Sequence, residues 1–487
     1  TNPGDKTQNV RAQNVNTIDE VPDSNWYTNR AGKVNITPEM IEKGPNSGNG
    51  PAPGIWTIIS SKNQGVTPGF TIKDSTGQKW FLKFDPPAYP DLSTGAEVAV
   101  TKLLWALGYF VPENYIATFR REDLVIGEDA TYRLLNRSKR KMTKGDLNSL
   151  LKKVAKNKDG SYRVVASKAL PGVSLNGFRF HGTFPEDPND VIPHEHRREL
   201  RGYRVFSAWL NHVDSRSMNS LDTLVEQNGI KVVRHYLLDF GSTLGSDAVG
   251  PRNYWDGSEY IYEGGSHILK GMAGLGFYIQ PWRKTDFYKS ASVGRFRLDS
   301  SNWDPDTWYP ELPNPAFRRA RDDDKFWAAR KLMALSDEII RAAVQTGEFR
   351  DEEASLFLTN ALIQRRDAIG RKYLTAINPV IDPVLDQSGV LTFGNAAVNA
   401  GFAKSPESYT VKWYNFNNET GESTLIGETI GTTEQIKAPE KLPTENAYIK
   451  VEISAMSKEH PSWQTPISTY FVRQSPSWKL VGLERMQ

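Results

Sequence analysis

Between Asn211 and Gly241 the chain reads NHVDSRSMNSLDTLVEQNGIKVVRHYLLDFG, and three of its residues have the types and order that phosphoryl transfer requires. Asp214 is a carboxylate suited to accept the proton of an attacking hydroxyl. Asn219 follows five residues later, and a hairpin pattern turning at Asn228-Gly229 then leads to Asp239-Phe240-Gly241. An amide and a second carboxylate offer hard oxygen donors to Mg²⁺. Each residue alone is common; the ordered set is not. Asp239-Phe240-Gly241 also fits a plain strand end turning on its glycine.

Positioning these groups takes strands and helices on both sides of the stretch. Upstream, strand-like runs at Trp56–Ser60, Phe70–Lys73 and Lys79–Phe84 precede an amphipathic helix. The last two runs are joined by the turn Asp74-Ser75-Thr76-Gly77. In the helix, Val100, Leu103, Leu104 and Leu107 share one face, and Gly108 stands where a C-terminal cap belongs. Nearer the stretch, the pattern predicts a helix around Leu147–Val154, a strand at Tyr162–Ser167, and a helix at Glu195–Leu210 that delivers the chain to His212-Val213-Asp214. Downstream, helices are predicted at Asp324–Leu335, Ser336–Gln345 and Asp351–Leu374. From about Asn378 short alternating runs take over (Tyr409–Asn415, Ser423–Ile426, Tyr448–Ser454 and Thr465–Val472), which is the pattern of a β-sandwich.

Taken with Trp80-Phe81-Leu82-Lys83-Phe84, Glu97 fourteen residues beyond Lys83, and Leu103–Pro112 (LLWALGYFVP), the stretch resembles the protein-kinase-like superfamily. It is most similar to its atypical HipA-like and phosphoinositide-kinase-like members, which also place an Asn five residues past the catalytic Asp. The resemblance covers roughly 56–374. It implies an α+β, bilobal protein-kinase-like fold, with an extended N-terminal arm (1–53), a small lobe (54–120), a large lobe with insertions (121–377) and a C-terminal all-β sandwich resembling immunoglobulin or fibronectin type III modules (378–487). It also implies ATP and Mg²⁺ as cofactors. Asp214, Lys83 and Glu97 then become the catalytic set, Lys83, Gly65 and Gly69 the nucleotide contacts, and Asn219 and Asp239 the metal ligands.

Plainer accounts compete with each of these roles. Lys83 also suits an exposed position on a half-buried strand. Thr94-Gly95-Ala96-Glu97 fits a capping box that would claim the same Glu97 carboxylate. The chain departs from the family pattern as well. No G-x-G-x-x-G-x-V is present, and the segment in its place, Ser60–Gly69, carries Pro68, which removes a backbone donor. The central loop reads His-Val-Asp, and no Ala-Pro-Glu follows, so activation by loop phosphorylation is not expected.

Composition narrows the alternatives. With 487 residues, 38% hydrophobic, 13 Trp and a net charge of +3, the chain has material for several cores and no basis for general nucleic-acid binding. It has no cysteine, which excludes disulfides, thiolate zinc sites and cysteine nucleophiles. It has no run of apolar residues long enough to span a bilayer. The absent cysteine and the start at Thr1 suit a processed, exported protein. His194-Glu195-His196 is poorly spaced for a metal, and Arg137–Lys144 suits a solvated loop better than an acidic partner. The aromatic groups at Tyr254–Tyr262 and Trp303–Tyr309 suit packing better than sugar binding; Trp303-Asp304-Pro305-Asp306 permits a Ca²⁺ loop without EF-hand spacing. Two functions of different class result: an ATP-dependent phosphotransferase acting on a protein, glycan or small molecule, and a catalytically inactive kinase-fold subunit of an exported assembly that docks a protein partner through its β-sandwich.

Overall fold

A computed structural model describes residues 9–62, 68–134, 138–261, 282, 285–443, 447–474 and 476–486. The chain is a mixed α+β protein with two buried cores. Seven strands in chain order, β1 (Trp56–Ser61), β2 (Gly69–Lys73), β3 (Lys79–Phe84), β4 (Asn114–Phe119), β5 (Leu124–Arg133), β6 (Lys139–Lys141) and β7 (Tyr162–Lys168), form one sheet. Its order is β4-β7-β3-β2-β1-β5-β6. Alternate residues such as Trp80, Leu82 and Phe84 point into a core shared with Phe70, Phe119, Leu147 and Val164. The sheet takes in residues 124–168, beyond position 120 where the small lobe is expected to end. Strand pairing across β3, β7 and β4, invisible to local pattern, unites segments far apart in sequence.

Helix α1 (Pro38–Lys43) belongs to the N-terminal arm, and α2 (Leu92–Ala106) follows β3. The capping box expected at Thr94 is not formed. Asp91 is the N-cap of α2, in left-handed conformation. The buried Asp85 carboxylate accepts from the backbone N–H groups of Asp91, Ser93 and Thr94 and from the Thr94 hydroxyl, so a residue outside the helix satisfies its first turn. Glu97 is thereby released for other partners. At the other end, Gly108 has φ +108°, and a Cβ there would fall 2.3 Å from the Tyr27 ring, so glycine lets the arm close against the helix end.

Helix α3 (Lys144–Leu151) packs on the seven-stranded sheet, and α4 (Arg198–Trp209) leads into the central stretch. The predicted start of α4 at Glu195 is instead a separate 3₁₀ turn at His194–His196. Strands β8 (Val173–Ser174), β9 (Ser220–Gln227) and β10 (Ile230–Leu237) make a second sheet, with β9 and β10 paired as the Asn228-Gly229 hairpin predicts. Downstream lie α5 (Pro315–Arg318), α6 (Asp322–Met333), α7 (Asp337–Gln345) and α8 (Glu352–Tyr373).

The C-terminal strands are β11 (Val380–Leu385), β12 (Val390–Asn395), β13 (Ser408–Phe416), β14 (Ser423–Gly431), β15 (Gln435–Lys437), β16 (Tyr448–Met456), β17 (Ile467–Gln474) and β18 (Ser477–Glu484). They form antiparallel sheets of order β11-β12-β15 and β14-β13-β16-β17-β18, consistent with a β-sandwich. Trp413, Ile453 and Phe471 of these strands belong to the same buried cluster as Trp209 and Leu362 of the helical region.

The arm binds these parts together. Asp19 pairs with the fully buried Arg198 of α4 at 2.8 Å, and the Leu483 N–H of β18 donates to Thr17 O. Arg198 also meets Asp323 and Asp324 of α6, each at 3.1 Å. Burial of Asp19 opposes its charge, but Arg198, Arg11 and Arg485 outweigh it and hold the carboxyl below its ordinary range.

Candidate functional site

Lys83 stands on β3 and points toward α2 and the end of the β10 segment. Its Nζ is 2.8 Å from Glu97 Oε2 and 2.9 Å from Asp239 Oδ1. Burial alone would depress the lysine, but the Asp239 and Glu97 charges raise it above its ordinary value, so it stays charged. Asp239 is held down to about 2, first by the Lys83 charge against the opposing effect of burial. Glu97, 1% exposed, does more than pair with the lysine. Its Oε1 accepts from Phe240 N–H at 3.1 Å and its Oε2 from Gly241 N–H at 2.9 Å.

These hydrogen bonds explain the local backbone. Asp239 sits in the left-handed region at φ +62°, a conformation Asp tolerates better than most residues. The two N–H groups held by Glu97 fix the turn that follows. At Gly241 a Cβ would fall 2.4 Å from Ser93 Oγ and 3.1 Å from Glu97 Oε2. Glycine is required there because the turn lies directly on α2. A plain strand-end turn would need no such contact.

The other two sequence-predicted groups approach from α4 and β9. Asn219 Nδ2 donates to Asp214 O at 2.8 Å, and the Leu238 N–H donates to Asn219 O at 2.9 Å. Asn219 is therefore tied to both the Asp214 loop and the residue preceding Asp239. Asp214 is raised above its ordinary range by burial, opposed by Arg216, whose Nε lies against Asp214 Oδ1. His212 packs edge-on against Phe240, and burial, aided by the Arg252 charge, lowers it to about 3. It is neutral at physiological pH and serves packing between the two loops.

Gly69 opens β2 opposite Lys83, where a Cβ would fall 2.2 Å from Leu82 O. That contact accounts for its glycine by strand packing. Gly65 lies outside the described residues. Lys62, which the sequence reading passed over, precedes that segment. Its N–H donates to Gly69 O, and its amine has no ion-pair partner among the described residues. Burial, then the neighbouring Lys83 charge, lower it to about 8 against the pull of Asp239 and Glu97. Only its place just before a run of small and polar residues signalled it in the sequence. Arg216 was missed likewise, because one arginine two residues past an aspartate carries no pattern.

The donor set suits Mg²⁺. Asp239 Oδ2 and Asn219 Oδ1 have no hydrogen-bond partner among the described residues, and both are oxygen donors. Among those residues no group of three or more His, Cys, Asp or Glu could form a complete metal cage. Two protein oxygens suffice for an ion whose remaining ligands are phosphates and water. The other metal readings lose their residues to structural partners. His194 is bound to Asp190 and to Arg179 O, and His196 to Arg201. Asp304 and Asp306 each pair with Lys372 at 3.2 Å. No helix of the described residues is long and apolar enough to cross a membrane.

No family model matches the chain, and no curated protein does. Among solved structures it is similar to a crystal structure of the golgi casein kinase. The two are 9% identical, with 69% of this chain and 75% of that chain covered, at a TM-score of 0.32.

Proposed function

We propose that this chain is a kinase-like phosphotransferase that uses a Mg²⁺–nucleoside triphosphate, ATP in the first instance, to phosphorylate a hydroxyl acceptor. The observation that carries this reading is the shared lysine. Lys83 lies between Glu97 and Asp239 while Glu97 also grips the backbone after Asp239. A lysine oriented in this way supplies a fixed cation for phosphate oxygens, and electrostatic positioning of this kind dominates phosphoryl transfer.

The remaining roles follow from the chemistry of each group. Asn219 and Asp239 would hold Mg²⁺, which when bound supplies charge neutralisation to the phosphates. Lys83 and Lys62 would face the phosphate chain. Asp214 orients the acceptor hydroxyl and takes its proton, and its raised carboxyl is the better matched to that task near neutral pH. Arg216, against Asp214 Oδ1, would compete with the acceptor hydroxyl for that oxygen.

Differential scanning fluorimetry tests the reading. Millimolar Mg·ATP raises the Tm of the wild type and not that of Asp239→Ala, through ligand linkage. A wild type indifferent to ATP with either Mg²⁺ or Mn²⁺ would leave the inactive-subunit function standing.

A further inference from the structure

A cavity of about 280 Å³ opens beside β9, lined in part by Asn176, Phe178, Arg179, Phe184, Glu186 and Asp222. None of Lys83, Glu97, Asp214 or Asp239 lines it, so it is distinct from the candidate nucleotide cleft. Its floor is rigidly built. Leu175 N–H donates to Asp222 O and Asp222 N–H to Asn176 O. Gly177 lies so close to the Ser217–Ser220 turn that a Cβ would fall 2.1 Å from Ser217 O.

At that floor Asp222 is 2% exposed. Its Oδ1 accepts from His235 Nδ1 at 2.7 Å, and its Oδ2 has no hydrogen-bond or ion-pair partner among the described residues. Because Asp222 lines the cavity, that oxygen is open to a cation or N–H donor that enters it. His235 meets only the other oxygen. Burial holds its ring below the ordinary value, against the effect of Asp222, and it stacks 3.4 Å from Trp26. Its one hydrogen bond to the carboxylate goes to Oδ1. The nearby Asp190 is already matched by Arg197 at 2.9 Å and His194 at 2.7 Å, so neither of those groups is free for Asp222. Asp222 and Glu186 share the lining with Arg179 and with His194, which is held by Asp190, and Phe178 and Phe184 add aromatic walls.

We infer that this cavity is a binding site for a small organic cation, an alkyl ammonium or guanidinium group, whose N–H donors reach Asp222 Oδ2 while its carbon stem lies between Phe178 and Phe184. A charge-assisted hydrogen bond to a buried carboxylate supplies the affinity, and the aromatic rings add cation–π attraction. The chemistry is shared by a free polyamine-type ligand and by a lysine or arginine side chain of a partner peptide. The inference stands without the phosphotransferase reading, because no residue is shared.

Ligand-observed NMR and calorimetry on the full chain test it with agmatine and n-butylammonium as probes and n-butanol as the neutral control. Both cations bind saturably, butanol does not, and Asp222→Asn lowers their affinity about tenfold or more. Because that substitution touches His235, Phe184→Ala at the half-exposed rim provides a second variant, expected to weaken the cations with an unchanged Tm. A short arginine peptide that binds more tightly than agmatine assigns the site to a protein side chain; equal affinity assigns it to a free cation. Equal response to butanol and butylammonium, absence of saturable binding, or full affinity in both variants overturns the inference.

Discussion

Lys62 gives the most discriminating prediction, because its charge state ties nucleotide binding to pH. In the free protein its amine sits at about 8, depressed by burial and by Lys83. Phosphate oxygens facing it would return it to the ordinary lysine range. It is then about nine-tenths protonated at pH 7 and about one-tenth at pH 9 before binding, and fully protonated after. Binding therefore takes up about one proton at pH 9 and about a tenth of one at pH 7. Affinity falls about tenfold across that interval, or about 1.4 kcal/mol. Calorimetry of Mg·ATP binding in buffers of different ionisation enthalpy counts the proton directly. Lys62→Met removes the uptake and the pH slope, and Lys62→Arg keeps the affinity without the slope. The unliganded stability has the opposite sign of dependence. The penalty of the depressed amine is fully present below pH 8 and is relieved as pH rises toward 10.5, so Lys62→Met raises the Tm at pH 7. Wild-type binding without proton uptake at pH 9, or an unchanged slope in Lys62→Met, would refute the reasoning.

The rest of the site and the scaffold give three further tests. Glu97→Ala leaves two buried N–H groups without their acceptor and Lys83 with Asp239 alone, and costs about 2–4 kcal/mol by chemical denaturation; Glu97→Gln keeps an acceptor for Phe240 and loses less. Gly241→Ala forces a Cβ against Ser93 Oγ, which lies 2.4 Å away, and lowers stability by about 1–3 kcal/mol while abolishing any Mg·ATP-induced Tm shift. Asp19→Ala removes one of the three carboxylates around the buried Arg198, leaving Asp323 and Asp324, and costs about 1–3 kcal/mol in urea unfolding. Because the folded-state pKa of Asp19 is lowered, its contribution is present above its ordinary range and is lost as pH falls below it, so acid titration narrows the gap between wild type and Asp19→Ala.

The local sequence determined those features whose physics is local. The β9–β10 hairpin follows from Asn228-Gly229, where both residues adopt positive φ, and the Lys83 strand follows from alternating Trp80, Leu82 and Phe84. The order Lys83, Glu97, Asp214, Asn219, Asp239 was likewise legible. Tertiary structure decided what those residues do. Thr94 and Glu97 fit a capping box by spacing, and only the Asp85 carboxylate, folded back onto the helix start, took the first-turn donors and left Glu97 to join Lys83 with the Phe240 turn. Gly241 is ordinary in sequence and becomes obligatory only because Ser93 lies against it. The seven-stranded sheet extended to Lys168 because β7 inserts between β3 and β4, a pairing that no window of sequence records. Lys62 and Asp222 were unremarkable for the same reason. A buried charge is recognised by the partner it lacks, and which groups surround it is settled only when the chain has folded.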